Sequence, residues 1–304
     1  MHGGTLRGVF APTLTPVDED LRIDVARWIE HSRTLLANGC DGLCPFGTTS
    51  EATSFSVDER IDALEQLTAA GVPAAKLMPG TGCSALTDTV RLTAHAVGLG
   101  CGGVLMLPPF YYKGVSDEGI YSSIAEVIER VGDDRLRVYL YHIPPQAVVC
   151  FSLDLIERLV TDYPGTVVGI KDSSGDWNNL HGILTRFPGF GTFTGSEAFL
   201  LQTLRLGGAG SINAVANVIA PIQQRLFADW EGPEAEQFQA AINQVRPIYD
   251  GYSAISALKA VVAHYRNDPA WARVRPPLVE LDAAAAQAVV DRFAKLPVAA
   301  ERAI

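Results

Sequence analysis

Runs of basic residues, paired cysteines and long apolar stretches are all missing from this 304-residue chain, and each absence removes a class of function. Lys and Arg together number 24 against 34 Asp and Glu, for a formal net charge of −10, and no Lys/Arg run interrupts that balance. A general electrostatic grip on nucleic acid or on an anionic membrane surface is therefore not expected. The five cysteines, Cys40, Cys44, Cys83, Cys101 and Cys150, are odd in number and form no C-x-x-C pair. Reduced thiols filling small apolar positions in a cytoplasmic protein are the simplest reading. No stretch approaches the roughly 20 apolar residues of a membrane span, and residues 1–10 carry no apolar signal region. The six histidines, His2, His31, His95, His142, His181 and His264, show no H-x-x-x-H spacing.

The chain does have apolar residues at 48% against 19% charged, enough for a sizeable core in a length that α/β barrels reach as one unit. Short apolar runs alternate with helical patterns. Strands are predicted at 9–14, 42–45, 76–79, 103–107, 137–142, 167–171, 192–194 and 210–214. Between them, 25–36 reads as a helix with Asp24 as N-cap. Ser56 with Glu59 reads as a capping box, and Ser152 caps the pattern Leu155, Ile156, Leu159, Val160. Glycine clusters at 39–42, 100–103 and 207–210 each sit between a helix and the next strand, as helix stop and tight turn. Eight such units predict a (β/α)8 TIM barrel over residues 1–230. Helical patterns at 235–245, 252–265 and 281–296 predict a C-terminal helical region, 231–304, packed on the barrel without a low-complexity linker.

In such a barrel the reacting groups lie at the C-terminal ends of strands. Lys171 ends the apolar run Val167-Val168-Gly169-Ile170, in a chain with only five lysines. An ammonium drawn into apolar surroundings loses hydration, which favours the neutral amine, and an amine can attack a ketone to form an imine. Strand context alone leaves a second reading open, a lysine that snorkels out or pairs with Asp172. Tyr141 ends the preceding strand, so the two could share one site, the phenol relaying protons; a core aromatic is the alternative. Gly47-Thr48-Thr49 offers hydroxyls and free N–H groups to a carboxylate, or is an ordinary loop leading to the Ser56 cap. His142, beside Tyr141, could tune substrate binding, but a packed histidine at a strand end is the simpler reading.

These residues resemble the dihydrodipicolinate synthase / N-acetylneuraminate lyase family, the pyruvate-type class I aldolases, over most of the chain. The family's G-T-T-G-E appears as Gly47-Thr48-Thr49-Ser50-Glu51, and Y-[ND]-[IV]-P as Tyr141-His142-Ile143-Pro144. Its long lysine motif, G-[IV]-K-[DE]-[SA]-[ST]-G, appears as Gly169-Ile170-Lys171-Asp172-Ser173-Ser174-Gly175. The resemblance implies that Lys171 is the Schiff-base lysine and Tyr141 the proton shuttle, hydrogen-bonded by Thr48. It implies that Thr48 and Thr49 hold the carboxylate of the 2-oxo acid, with the Ile212 carbonyl near the site. Tyr112 matches the tyrosine that enters the neighbouring subunit's site, which implies a homo-oligomer, a dimer of dimers. Ser173, Gly195, Glu197 and Gln146 are expected to line the substrate, with no metal and no organic cofactor.

Two departures bear on the second substrate. Dihydrodipicolinate synthases carry an arginine in Y-N-V-P-S-R, where this chain has Gln146 in Tyr141-His142-Ile143-Pro144-Pro145-Gln146. A neutral amide cannot make the charge-assisted bidentate bond to aspartate semialdehyde, which argues against that substrate. Sialic acid lyases use an acidic pair where Gly195-Ser196-Glu197-Ala198 offers one acid. Ser50, in place of glycine, is expected to tighten the carboxylate loop. The expected activity is a lyase joining or splitting a 2-oxo acid and an aldehyde. Alternatives within the class are 2-keto-3-deoxy sugar acid aldolase or dehydratase, 4-hydroxy-2-oxoglutarate aldolase and 4-hydroxy-tetrahydrodipicolinate synthase. Outside it stand a non-catalytic binding barrel and a phosphate-binding barrel enzyme. The latter is disfavoured because the glycines at 207–210 precede the eighth predicted strand, the wrong end for a phosphate loop.

Overall fold

A computed structural model describes residues 5–304. Residues 1–4, part of the segment read as lacking a signal region, lie outside the described residues. Among the described residues seven strands form: β1 (Gly8–Ala11), β2 (Gly42–Leu43), β3 (Val104–Met106), β4 (Val138–His142), β5 (Val167–Asp172), β6 (Gly191–Thr194) and β7 (Gly210–Ile212). The chain divides into two compact units, one of Pro73–Ile212 with the chain up to Gly8, the other of Val9–Val72 with Asn213–Ile304.

In the first unit five strands lie side by side in the order β7-β6-β5-β4-β3, every pair parallel. Parallel neighbours need a crossover between them. The helices Asp117–Val131, Leu153–Asp162, Trp177–Arg186 and Leu200–Arg205 follow β3 to β6 in turn. One strand face packs against them: Val138, Leu140 and Ile170 join Ile120, Ile124, Leu155, Ile156, Leu159 and Ile183 in a single core. Each such buried side chain contributes about 1.5–3 kcal/mol of transfer free energy. The other face carries Tyr139, whose ring lies where β-carbons would stand on Gly103 and Gly169. An ideal β-carbon on Gly169 would come within 2.4 Å of the ring. Side chains alternate along a strand, so Tyr141, two residues on, points to the same face as Tyr139.

The strand predicted at 76–79 does not form. Ala74–Lys76 is a single 3-10 turn, and the chain meets β3 only by an isolated parallel bridge, Gly80 to Leu105. Leu105 N donates to Pro79 O at 2.9 Å and Thr81 N to Leu105 O at 3.0 Å. Pro79 has no N–H to extend the ladder, and Gly82 lies so close to Leu107 that a β-carbon would meet its backbone N at 2.5 Å. The described residues thus show seven strands and one bridged segment in place of eight full strands.

In the second unit β1 and β2 pair in parallel, Phe10 opposite Gly42 and Ala11 opposite Leu43. The predicted caps are present: Asp24 accepts from Arg27 N ahead of helix Val25–Ala37, and Ser56 and Glu59 close a full capping box on Val57–Ala69. The helix Ala216–Ala228 is kinked at Ile219 (φ −128°), because Pro221 cannot donate and its ring clashes with the carbonyl four residues back. The C-terminal helices Ala235–Asn243, Ala254–Tyr265 and Ala283–Ala294 form where the periodicity placed them. No helix among the described residues is long and apolar enough to cross a membrane.

Candidate active site

Register brings the first two site residues together. β4 and β5 pair with Tyr141 opposite Lys171 and His142 opposite Asp172. Lys171 Nζ donates to Tyr141 Oη at 3.3 Å and lies 4.3 Å from the centre of its ring. Lys171 is 4% exposed and Tyr141 2%, so the lysine does not snorkel to solvent. Asp172 is committed elsewhere: Oδ1 accepts from Ser174 N at 2.7 Å and Oδ2 from Asn179 Nδ2 at 2.9 Å. An amine and a phenol in hydrogen-bond contact, away from bulk water, are the parts needed for nucleophilic attack with proton transfer.

The neighbouring positions hold this pair in place. His142 is buried, and its Nδ1 accepts from Phe151 N at 3.1 Å, which leaves the ring proton on Nε2. Burial pushes its pKa below the ordinary histidine value, partly offset by Asp172. Ser173 N donates to His142 O at 2.7 Å, and Gly195 N to Asp172 O at 2.6 Å. Ser173 and Gly195 touch: a β-carbon on Gly195 would stand 2.0 Å from Ser173 Oγ. Glu197, buried, opens the turn Glu197–Phe199 after β6, and Ile212, also buried, ends β7.

Two predicted residues lie on the surface of this unit. Gln146 is exposed on the four-residue helix Pro144–Ala147. Tyr112 is 74% exposed and stacks edge-on against the equally exposed Tyr111, ring centres 5.4 Å apart. Lys113 Nζ donates to Ala147 O at 3.1 Å, fastening the tyrosine loop to the segment that bears Gln146.

Thr48 and Thr49 belong to the second unit, half-buried in a tight turn. Ser50 N and Ala52 N donate to Gly47 O at 3.1 and 3.2 Å, and Glu51 N to Thr48 O at 3.0 Å. Thr15 Oγ1 donates to Ser50 O at 2.9 Å, while Ser50 Oγ is buried without a partner. Sequence reasoning missed the role of the acid that closes this turn. Glu51 forms an ion pair with Lys259, and neither side chain is exposed to any degree. The signal was available: Lys259 is another of the five lysines set in an apolar run, Ala254–Tyr265. Among the described residues no group of three or more His, Cys, Asp or Glu side chains is placed to hold a metal.

A parallel α/β chain with an amine and a phenol paired at neighbouring strand ends has the form of a class I aldolase-type lyase. Comparison with known proteins gives the family. The model of the dihydrodipicolinate synthetase family matches residues 5–295. The chain is 33% identical, over 94% of its length and 97% of the relative's, to an uncharacterized DapA-like lyase of Chloroflexus aurantiacus. It is 30% identical, over 90% and 93%, to the 4-hydroxy-tetrahydrodipicolinate synthase of Listeria welshimeri. The crystal structure of dihydrodipicolinate synthase from Agrobacterium tumefaciens superposes with a TM-score of 0.89 at 30% identity, covering 95% of this chain and 99% of that one. The chain belongs to the dihydrodipicolinate synthetase family and is an enzyme of the lyase class.

Proposed function

We propose that Lys171 forms a Schiff base with pyruvate or a related 2-oxo acid, and that the enzyme joins an aldehyde to the adjacent carbon or releases one from it. The observation that carries the reading is the buried 3.3 Å contact between Lys171 Nζ and Tyr141 Oη. The neutral amine adds to the ketone carbon, the resulting hydroxyl leaves as water, and Tyr141 moves the protons these steps require. The iminium then accepts the electron pair of the carbon–carbon bond being broken, or supplies an enamine for the bond being made.

Thr48 and Thr49 take the carboxylate of the 2-oxo acid, with Ser173, Gly195 and the Ile212 carbonyl as further contacts. Thr48, Tyr141 and Tyr112 form the proton relay. Tyr112 serves a neighbouring subunit in a dimer of dimers, a reading supported by two tyrosines left exposed on one loop. The active species is a cytoplasmic homotetramer, with a barrel over 1–230 and a C-terminal helical region over 231–304. Gln146 and Glu197 face the second substrate. The neutral, exposed amide of Gln146 favours a 2-keto-3-deoxy sugar acid over aspartate semialdehyde.

The test is a screen of 2-oxo acids and aldehydes, run in both directions, with Lys171→Ala as control. Turnover that vanishes in the variant is expected. Efficient consumption of aspartate semialdehyde with pyruvate would overturn the reading of Gln146, and turnover retained by Lys171→Ala would overturn the Schiff base.

A further inference from the structure

Glu51 closes the turn at 47–50. Its backbone N–H donates to Thr48 O at 3.0 Å, and its φ of 59° puts a non-glycine residue in the left-handed region. Such a conformation persists only where the surroundings over-determine it. Here its carboxylate is held at both oxygens: Oε1 accepts from the Lys259 ammonium, and Oε2 from the Arg275 backbone N–H at 2.9 Å. Lys259 also donates to Arg273 O at 2.7 Å. The Arg275 guanidinium reaches further along the same segment, to Ser54 O at 2.8 Å and to both oxygens of the capping-box Glu59 at 2.6 and 3.0 Å. The chain from Glu51 to Glu59 is thus fastened at both ends by residues 259–275.

A buried ion pair is a weak source of net stability, because desolvation offsets much of the attraction, and apolar residues of the same shape often serve as well. Lys259 lies among the buried Ala257, Leu258, Val261 and Val262, where an apolar side chain would be the ordinary choice. The pair therefore calls for a positional account. We propose that Lys259 and Glu51 are positioning residues for the carboxylate of the 2-oxo acid: their ion pair, braced by the Arg275 N–H, fixes the turn at 47–50 so that Thr48 and Thr49 offer a preformed anion cradle. This rests on the reading that Thr48 and Thr49 take that carboxylate. Lys259 has a second effect. It neutralises an acid bonded into the same turn, whose charge would otherwise repel the incoming anion.

The experiment uses the full chain, borohydride, pyruvate and the carboxylate-free ketone acetone. Glu51→Gln/Lys259→Met removes both charges together, and Glu51→Asp keeps the charge but shortens its reach by a methylene. Circular dichroism and thermal unfolding identify the folded variants. The pyruvate concentration that half-saturates trapping on Lys171 should rise about tenfold in the double variant and about threefold in Glu51→Asp, with maximal trapping and the acetone rate within about twofold of the wild type. Unchanged half-saturation in either folded variant would overturn the inference, as would an equal loss with pyruvate and acetone, the sign of a merely structural role. A wild type that pyruvate does not label would overturn the proposed function and this inference together. A labelled wild type with indifferent variants would overturn this inference alone.

Discussion

Lys171 and Tyr141 meet because two strands of one register end on them, and the chemistry asked of each differs. In the proposed reaction the lysine supplies the nucleophile and the phenol only moves protons. Tyr141→Phe should therefore fold and still label slowly with a 2-oxo acid, while steady-state kcat falls about 10²- to 10⁴-fold. A kcat within threefold of the wild type would show that another group carries the proton. His31 gives a second prediction, for stability. Its ring is fully buried, Nε2 sits 3.0 Å from Asn217 Oδ1, and Nδ1 has no partner. Burial pulls its pKa from 6.5 down to about 3, with Arg266 adding to the shift and Asn217 opposing it. In the unfolded chain the ring takes up a proton below its ordinary value, whereas in the folded chain it stays neutral to about 3. Stability from this group is thus present above pH 6.5 and is lost as pH falls toward 3, at up to about 1.4 kcal/mol per pH unit. Urea midpoints at pH 7, 5 and 4 should fall more steeply for the wild type than for His31→Gln; parallel slopes would contradict this. The burial of Lys171 at a strand end was legible in the sequence because an apolar run ends on it, although that context alone left its role open. The pairing of Lys259 with Glu51 was not legible, because the two lie 208 residues apart.

At the level of elements, local signals were the readable ones. Asp24, Ser56 and Ser152 each cap the helix their neighbours predicted, since a cap and its recipient N–H are two or three residues apart. Replacing Ser56 by Ala should lower stability by about 1 kcal/mol in denaturant titration. Close approaches between elements were not readable. Gly195 looks like any turn glycine, yet a methyl there would overlap Ser173 Oγ and stand 2.8 Å from Asp172 O. Gly195→Ala should therefore cost about 1–3 kcal/mol by thermal unfolding and lower kcat/KM as well, through the displaced β5 end. A variant with wild-type stability and rate would show that the β6 loop yields freely. The strand expected at 76–79 failed for a related reason: its apolar pattern suited a strand, but Pro79 and the packing of Gly82 on Leu107 limit its pairing with β3 to one bridge.

For the whole molecule, alternation of strand and helix gave the α/β class and the motifs around Thr48, Tyr141 and Lys171 gave the family, while the grouping of Val9–Val72 with Asn213–Ile304 in one compact unit left no periodic trace. Nor can periodicity show why Tyr111 and Tyr112 are exposed. The proposed burial of that loop between subunits predicts that Tyr111→Asp/Tyr112→Asp sediments as a smaller species than the wild type and loses turnover. Tyr112→Phe should keep the assembly and lose rate only. An unchanged sedimentation coefficient for the double variant would place the interface elsewhere. The central claim concerns a single covalent bond, and trapping reads it directly. Borohydride reduction in the presence of pyruvate, followed by peptide mass spectrometry, should leave one reduced pyruvate on the peptide containing Lys171 and none in Lys171→Ala. No adduct, or an adduct on Lys76, Lys113, Lys259 or Lys295 instead, would contradict the account.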